Sequence, residues 1–167
     1  SFLPEVLLEW DYASKAFTRI DDGRHTRSHL TINGIYAPNK DEVYYVASRL
    51  GVNGAEVYRG RRPVPPAKEW SWTTHELACP VRFFPTIGGG GPDVYVAGCK
   101  KIYRHSANGG DGGTETWVED VVETDSTADF SAIAGTAPDN VWFYGNKAKC
   151  PYILRRTAVG YERVTEG

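Results

Sequence analysis

Apolar and aromatic residues in this chain occur in short runs of roughly four to eight residues, which is the length of a β-strand. Gly, Pro, Asp and Asn separate the runs, and these residues favour tight turns. No stretch keeps the 3.6-residue apolar period of an amphipathic helix. The pattern therefore predicts an all-β protein with many short strands.

The runs repeat along the chain. Each repeat has an apolar strand, a turn with proline and aspartate, and a strand that begins with valine and an aromatic residue, and these segments are Leu30–Ser48, Val81–Cys99 and Ala128–Asn146. Val94 follows Val43 by 51 residues, and Val141 follows Val94 by 47. A third strand with an arginine and a fourth with an aromatic residue come next. Four strands in about 50 residues are typical of a propeller blade.

The N-terminal segment fits only the second half of this repeat, since Val6–Trp10 and Phe17–Ile20 match a third and a fourth strand. We therefore interpret the chain as a single propeller segment of about three and a half blades: a half blade at 1–29 and blades at about 30–78, 79–127 and 128–167. A propeller closes into a ring of about 4–8 blades. The count predicts further blades before Ser1, after Gly167 or on another chain. An irregular β-sandwich of degenerate repeats is the alternative.

The third repeat carries the fullest form of the motif, in which Pro138-Asp139-Asn140-Val141-Trp142 precedes a small residue. This motif resembles a class of bacterial β-propeller repeats, and Ile102-Tyr103-Arg104 is similar to part of the tectonin lectin repeat. The resemblance implies blades and a binding role. Two departures exclude other propeller families: the glycines of a kelch blade follow its second strand, whereas Gly88–Gly91 precede it, and Asp111 lies too far from Trp117 for a sialidase Asp box.

Two sets of recurring residues are candidates for ligand binding. The aromatic residues Tyr44, Tyr95 and Trp142 could stack on sugars, although aromatic residues in such strands more often fill the core between blades. The arginines at one repeat position could line repeated pockets or pair with acidic neighbours; they are Arg59, Arg104 and Arg155. The core interpretation is favoured for the aromatic residues, and the ion-pair interpretation is favoured for the arginines.

No catalytic or metal-binding pattern stands out. The chain has no nucleophile-elbow serine and no P-loop, and a strand rather than a helix follows Gly88–Gly91. His25 and His29 lie in a predicted loop, so we expect no zinc site. The loop 106–114 lacks the carboxylate spacing of a calcium site. We therefore predict no metal and no cofactor.

The composition narrows the class of partner. A net charge of −2 argues against a nucleic-acid partner, and no apolar run has the roughly 18 residues that a membrane span needs. Cys79, Cys99 and Cys150 allow either one disulfide or three thiols. An extracytoplasmic or secreted location is favoured over the cytosol.

These observations together favour a non-catalytic binding or scaffolding module. Its propeller faces would recognise protein or glycan. A glycosidase-like enzyme on the same scaffold is the alternative, because the two carboxylates of a glycosidase site can lie far apart in the sequence and come together only in the folded structure.

Overall fold

The computed structural model describes residues 6–21, 30–49, 53–80, 84–98, 100–105, 116–120 and 128–164. These residues form an all-β protein, and the described part of the chain contains no helix. The strands belong to one two-stranded hairpin and three four-stranded antiparallel sheets. The prediction of four-stranded units and of an N-terminal hairpin is confirmed.

The strands follow the chain in simple up-and-down order within each unit. The N-terminal hairpin contains β1 (Leu8–Asp11) and β2 (Ala16–Arg19). Sheet 1 contains β3 (Leu30–Asn39), β4 (Glu42–Arg49), β5 (Ala55–Arg61) and β6 (Ser71–Leu77). Sheet 2 contains β7 (Thr86–Gly90), β8 (Asp93–Ala97), β9 (Ile102–His105) and β10 (Val118–Asp120). Sheet 3 contains β11 (Asp129–Ala137), β12 (Asn140–Lys147), β13 (Cys150–Thr157) and β14 (Gly160–Arg163).

The second strand of a sheet shows why the valine-aromatic runs are almost entirely apolar. Successive side chains of a strand point to opposite faces of the sheet. In β4, Tyr44 and Val46 belong to the core shared with sheet 2, whereas Tyr45 and Ala47 belong to the core shared with the hairpin. All four side chains are buried. The strand is therefore apolar on both faces because it is covered on both.

The sheets pack face to face in chain order, and one apolar core fills each of the three gaps. Leu7 and Ile20 of the hairpin segment pack with Tyr45 and Tyr58 of sheet 1. Sheets 1 and 2 share a second core, and sheets 2 and 3 share a third. Within the described residues, the sheets form a stack and do not close into a ring.

The backbones of neighbouring sheets come closest at their first strands, where β7 lies between β3 and β11. The glycines of β7 make this approach possible. A Cβ atom at Gly88 would lie 2.4 Å from the carbonyl oxygen of Ile133, and one at Gly90 would lie 2.2 Å from that of Ala137. The glycine run is not the turn that the sequence pattern predicts, because Gly88, Gly89 and Gly90 are strand residues. The close approach of a second backbone is the physical reason for glycine here.

Each gap is also bridged by a hydrogen bond from an aromatic side chain of a third or fourth strand. Tyrosine and tryptophan suit this role because their rings join the core while the O–H or N–H reaches an acceptor. The bonds run from Trp72 to the carbonyl oxygen of Ile20 (3.0 Å), from Tyr103 to that of Ala78 (2.9 Å), and from Tyr161 to the carboxylate of Asp120 (2.6 Å). Burial and the bond to Asp120 raise the pKa of Tyr161.

Candidate functional site

The two sets of predicted site residues meet in pairs. Each aromatic residue of a second strand lies directly opposite the arginine of the third strand, in the pairs Tyr44–Arg59, Tyr95–Arg104 and Trp142–Arg155. The guanidinium carbon lies 5.5 Å from the ring centre in the first pair and 5.2 Å in the last. Such distances give a favourable cation–π contact. The pairs lie on three different sheets, so they do not form one common pocket.

A polar residue at the start of the second strand completes each pair, two positions before the aromatic residue. Glu42 pairs with Arg59, and Asp93 lies 3.9 Å from Arg104. In sheet 3 the side-chain oxygen of Asn140 accepts a hydrogen bond from Arg155 at 3.3 Å. The aspartate or asparagine of the sequence motif is therefore a partner of the arginine. This arrangement supports the ion-pair interpretation of the arginines.

Burial separates the last pair from the others. Tyr44 is 1% exposed and Tyr95 is 0% exposed, so both rings are part of the core between sheets. Arg59 is buried with Tyr44. Trp142 is only half-buried, since no described sheet covers its face. A role of these aromatic residues in sugar stacking stays a prediction.

The uncovered side of sheet 3, which we call the open face, carries Trp142, Tyr144, Ile153 and Arg155. Tyr144 is 43% exposed, whereas the residues at its repeat position, Val46 and Ala97, are both 0% exposed. Ile153 is half-buried, whereas its counterparts Val57 and Ile102 are buried. The same positions are therefore buried in sheets 1 and 2 and partly exposed in sheet 3, one face of which no other described sheet covers.

A groove of about 1100 Å³ lies between the N-terminal hairpin and the outer part of sheet 1. Its wall includes four aromatic side chains, which belong to Trp10, Tyr12, Trp70 and Trp72. The rings of Trp70 and Trp72 stack at 6.2 Å with an angle of 29° between their planes. No sequence motif indicates this groove, because its walls come from segments about 60 residues apart.

Arg62 joins the two walls of the groove. Its guanidinium group makes an ion pair with Glu9 of the hairpin and donates from Nε to the carbonyl oxygen of Lys40 at 2.9 Å. The same group lies 5.0 Å from the ring centre of Trp70. Arg62 thereby fixes the Trp70 ring relative to the hairpin. The hydrogen bond to Glu9 is also the main cause of a raised pKa at Arg62.

Most of the candidate metal ligands and thiols lie outside the described residues. In the described ranges, no group of three or more His, Cys, Asp or Glu side chains is arranged to hold a metal ion. His25, His29, Cys99 and the loop 106–114 lie outside those ranges. Cys79 is disulfide-bonded, and Cys150 is an exposed free thiol.

Comparison with known proteins adds no relative. No protein-family profile matches the chain, and no curated protein or solved structure matches it. The class that the fold defines is an all-β protein of stacked four-stranded antiparallel sheets. Where the chain is described, it has no helix long and apolar enough to cross a membrane.

Proposed function

We propose that this chain is a run of β-propeller blades and acts as a non-catalytic binding or scaffolding module for protein or glycan. Three features support the propeller arrangement: the four-strand repeat, the face-to-face order of the sheets and the close packing of their first strands. A rigid stack of this kind holds loops and outer faces in fixed positions, which suits recognition.

One observation carries the proposal, namely the contrast between the covered faces of sheets 1 and 2 and the open face of sheet 3. Tyr144 and Ile153 lie at repeat positions that are buried in sheets 1 and 2. An apolar face left uncovered in water favours association. The partner that fits it is a further sheet of the same repeat, from the parent chain or another subunit.

The opposite end of the stack also offers an uncovered apolar surface. Leu8 is 50% exposed and Phe17 is 65% exposed on the outer side of the hairpin. Phe17 packs against Trp10 with ring centres 4.7 Å apart. Two different uncovered ends favour head-to-tail association, in which one copy presents its open face to the hairpin of the next.

Sedimentation equilibrium across a dilution series tests this proposal. The chain should associate as its concentration rises, and Tyr144→Lys should weaken that association roughly tenfold or more, because the ammonium group would be buried between sheets. Val159→Lys is the matched control, since Val159 is 98% exposed in the β13–β14 turn. A wild-type chain that stays monomeric at every concentration would contradict the proposed docking face.

A further inference from the structure

The groove beside the N-terminal hairpin has exposed aromatic surface that the fold does not require. Trp72 has a clear structural role, because it packs against the core and donates its N–H to Ile20. Tyr12 is 78% exposed at the tip of the hairpin, where its ring meets the edge of Trp10 and lies 5.8 Å from the Lys15 ammonium group. In the described part of the chain, the N–H of the half-buried Trp70 has no protein acceptor. These side chains offer flat apolar faces and free polar groups to a ligand.

The charges that line the groove nearly balance. The lining of the groove includes three basic and four acidic side chains, which belong to Arg19, Arg62, Lys68, Glu9, Asp11, Asp21 and Glu69. A hydrogen bond from Ser14, together with one from the backbone N–H of Ala13, lowers the pKa of Asp11 and keeps its carboxylate ionised. Balanced charge does not suit a polyanion, which needs a surface of one sign. It suits a neutral ligand with many hydroxyl groups.

We infer that this groove, walled by Trp10, Tyr12 and Trp70, binds neutral saccharides of the gluco configuration. A pyranose ring with equatorial substituents has two flat faces of C–H groups, and these pack on aromatic rings by dispersion and burial of apolar area. Its equatorial hydroxyl groups point outward in the ring plane. There the exposed side chains of Asp11, Lys68 and Glu69 make charge-assisted hydrogen bonds with them.

The aromatic side chains of the groove lie on two opposite walls. Arg62 anchors Trp70 on the sheet side, while Trp10 and Tyr12 belong to the hairpin side, so a ligand of several sugar units would touch both walls. Trp70 is the stacking residue best fixed in place, since it contacts both Trp72 and Arg62. The groove lies at the hairpin end of the stack and the open face lies at the other. The inference rests on the glycan-binding part of the proposed function, and its variants at Trp70 and Tyr12 differ from the Tyr144 variant that tests the docking face.

NMR titration of the ¹⁵N-labelled chain with chitotetraose and cellotetraose tests the inference. The five tryptophans give five indole N–H signals, which single Trp→Phe variants assign. The signals of Trp10 and Trp70 should shift with saturation, while that of Trp142 should not. A heparin tetrasaccharide, which is anionic, should bind more weakly than the two neutral probes.

Two variants locate the binding. Trp70→Ala should weaken saccharide binding roughly tenfold or more, and the exposed Tyr12→Ala should weaken it less, with its melting temperature unchanged. Val159→Ala, in the exposed β13–β14 turn, is the matched control outside both surfaces and should bind as the wild type does. The inference is overturned if neither neutral probe shifts the groove signals at roughly 10 mM, which would saturate a Kd of 1 mM. The inference would also be overturned if Tyr12→Ala and a folded Trp70→Ala both bound the neutral probes as tightly as the wild type does.

Discussion

The glycines of β7 provide the sharpest test of how closely the sheets approach each other. None of Gly88, Gly89 and Gly90 has a positive φ, so alanine at these positions meets no backbone strain. The obstacle is steric, because a Cβ atom at Gly90 would lie 2.2 Å from the carbonyl oxygen of Ala137 and 2.8 Å from a methyl carbon of Val141. Backbone cannot rotate away as a side chain can. Sheets 2 and 3 would have to separate by about 1 Å, which weakens the dispersion contacts of their core.

Gly90→Ala should therefore lower the free energy of unfolding by about 2 kcal/mol. Overpacking of this kind typically costs about 1–3 kcal/mol, and the smaller entropy of the unfolded alanine chain offsets about 0.4–1 kcal/mol. For a domain of this size the melting temperature should fall by roughly 4–8 °C. Urea unfolding followed by circular dichroism measures the free energy directly.

Gly34→Ala is the matched control for this prediction. A Cβ atom there would lie 3.2 Å from a methyl carbon of Ile87 and from its backbone nitrogen, a contact that a shift of a few tenths of an ångström relieves. Its free energy of unfolding should change by less than about 1 kcal/mol. If Gly90→Ala proves as stable as the wild type, the sheets do not approach as closely as the structure requires.

Two further predictions concern Tyr95 and the cysteines. Burial, with Asp93 nearby, raises the pKa of Tyr95 to about 12, and its buried hydroxyl has no hydrogen-bond partner among the described residues. An unfolded tyrosine ionises near pH 10, so the free energy of unfolding should decline between about pH 10 and pH 12. Tyr95→Phe should lose less stability over that pH range, and at pH 7 it should stay within about 1 kcal/mol of the wild type. Urea titrations at several pH values would measure both effects. A thiol titration without reductant should find one reactive group, at Cys150, and reduction of the bridge at Cys79 should cost about 2–4 kcal/mol; more than one thiol in the untreated chain would contradict this.

Local features of the sequence are enough to predict the strands and their grouping into repeats. Turn residues mark the ends of each strand, and the valine-aromatic runs recur at nearly constant spacing, so the hairpin and the four-stranded units follow from the sequence alone. The partnership of Tyr44 with Arg59 recurs at matching positions for the same reason. These features depend on residues near each other along the chain or on a repeated register within one sheet.

Only the tertiary structure decided which repeated positions are core and which are surface. Tyr95 and Trp142 belong to the same motif, but sheet 3 covers Tyr95, whereas no described sheet covers Trp142, which is half-buried. The glycines of β7 look like turn residues in the sequence, because the need for close contact between backbones depends on strands about 50 residues away. The groove could not be predicted for the same reason, since the pairing of Arg62 with Glu9 spans 53 residues. Sequence patterns specify the faces of a strand, but burial of a face depends on what packs against it.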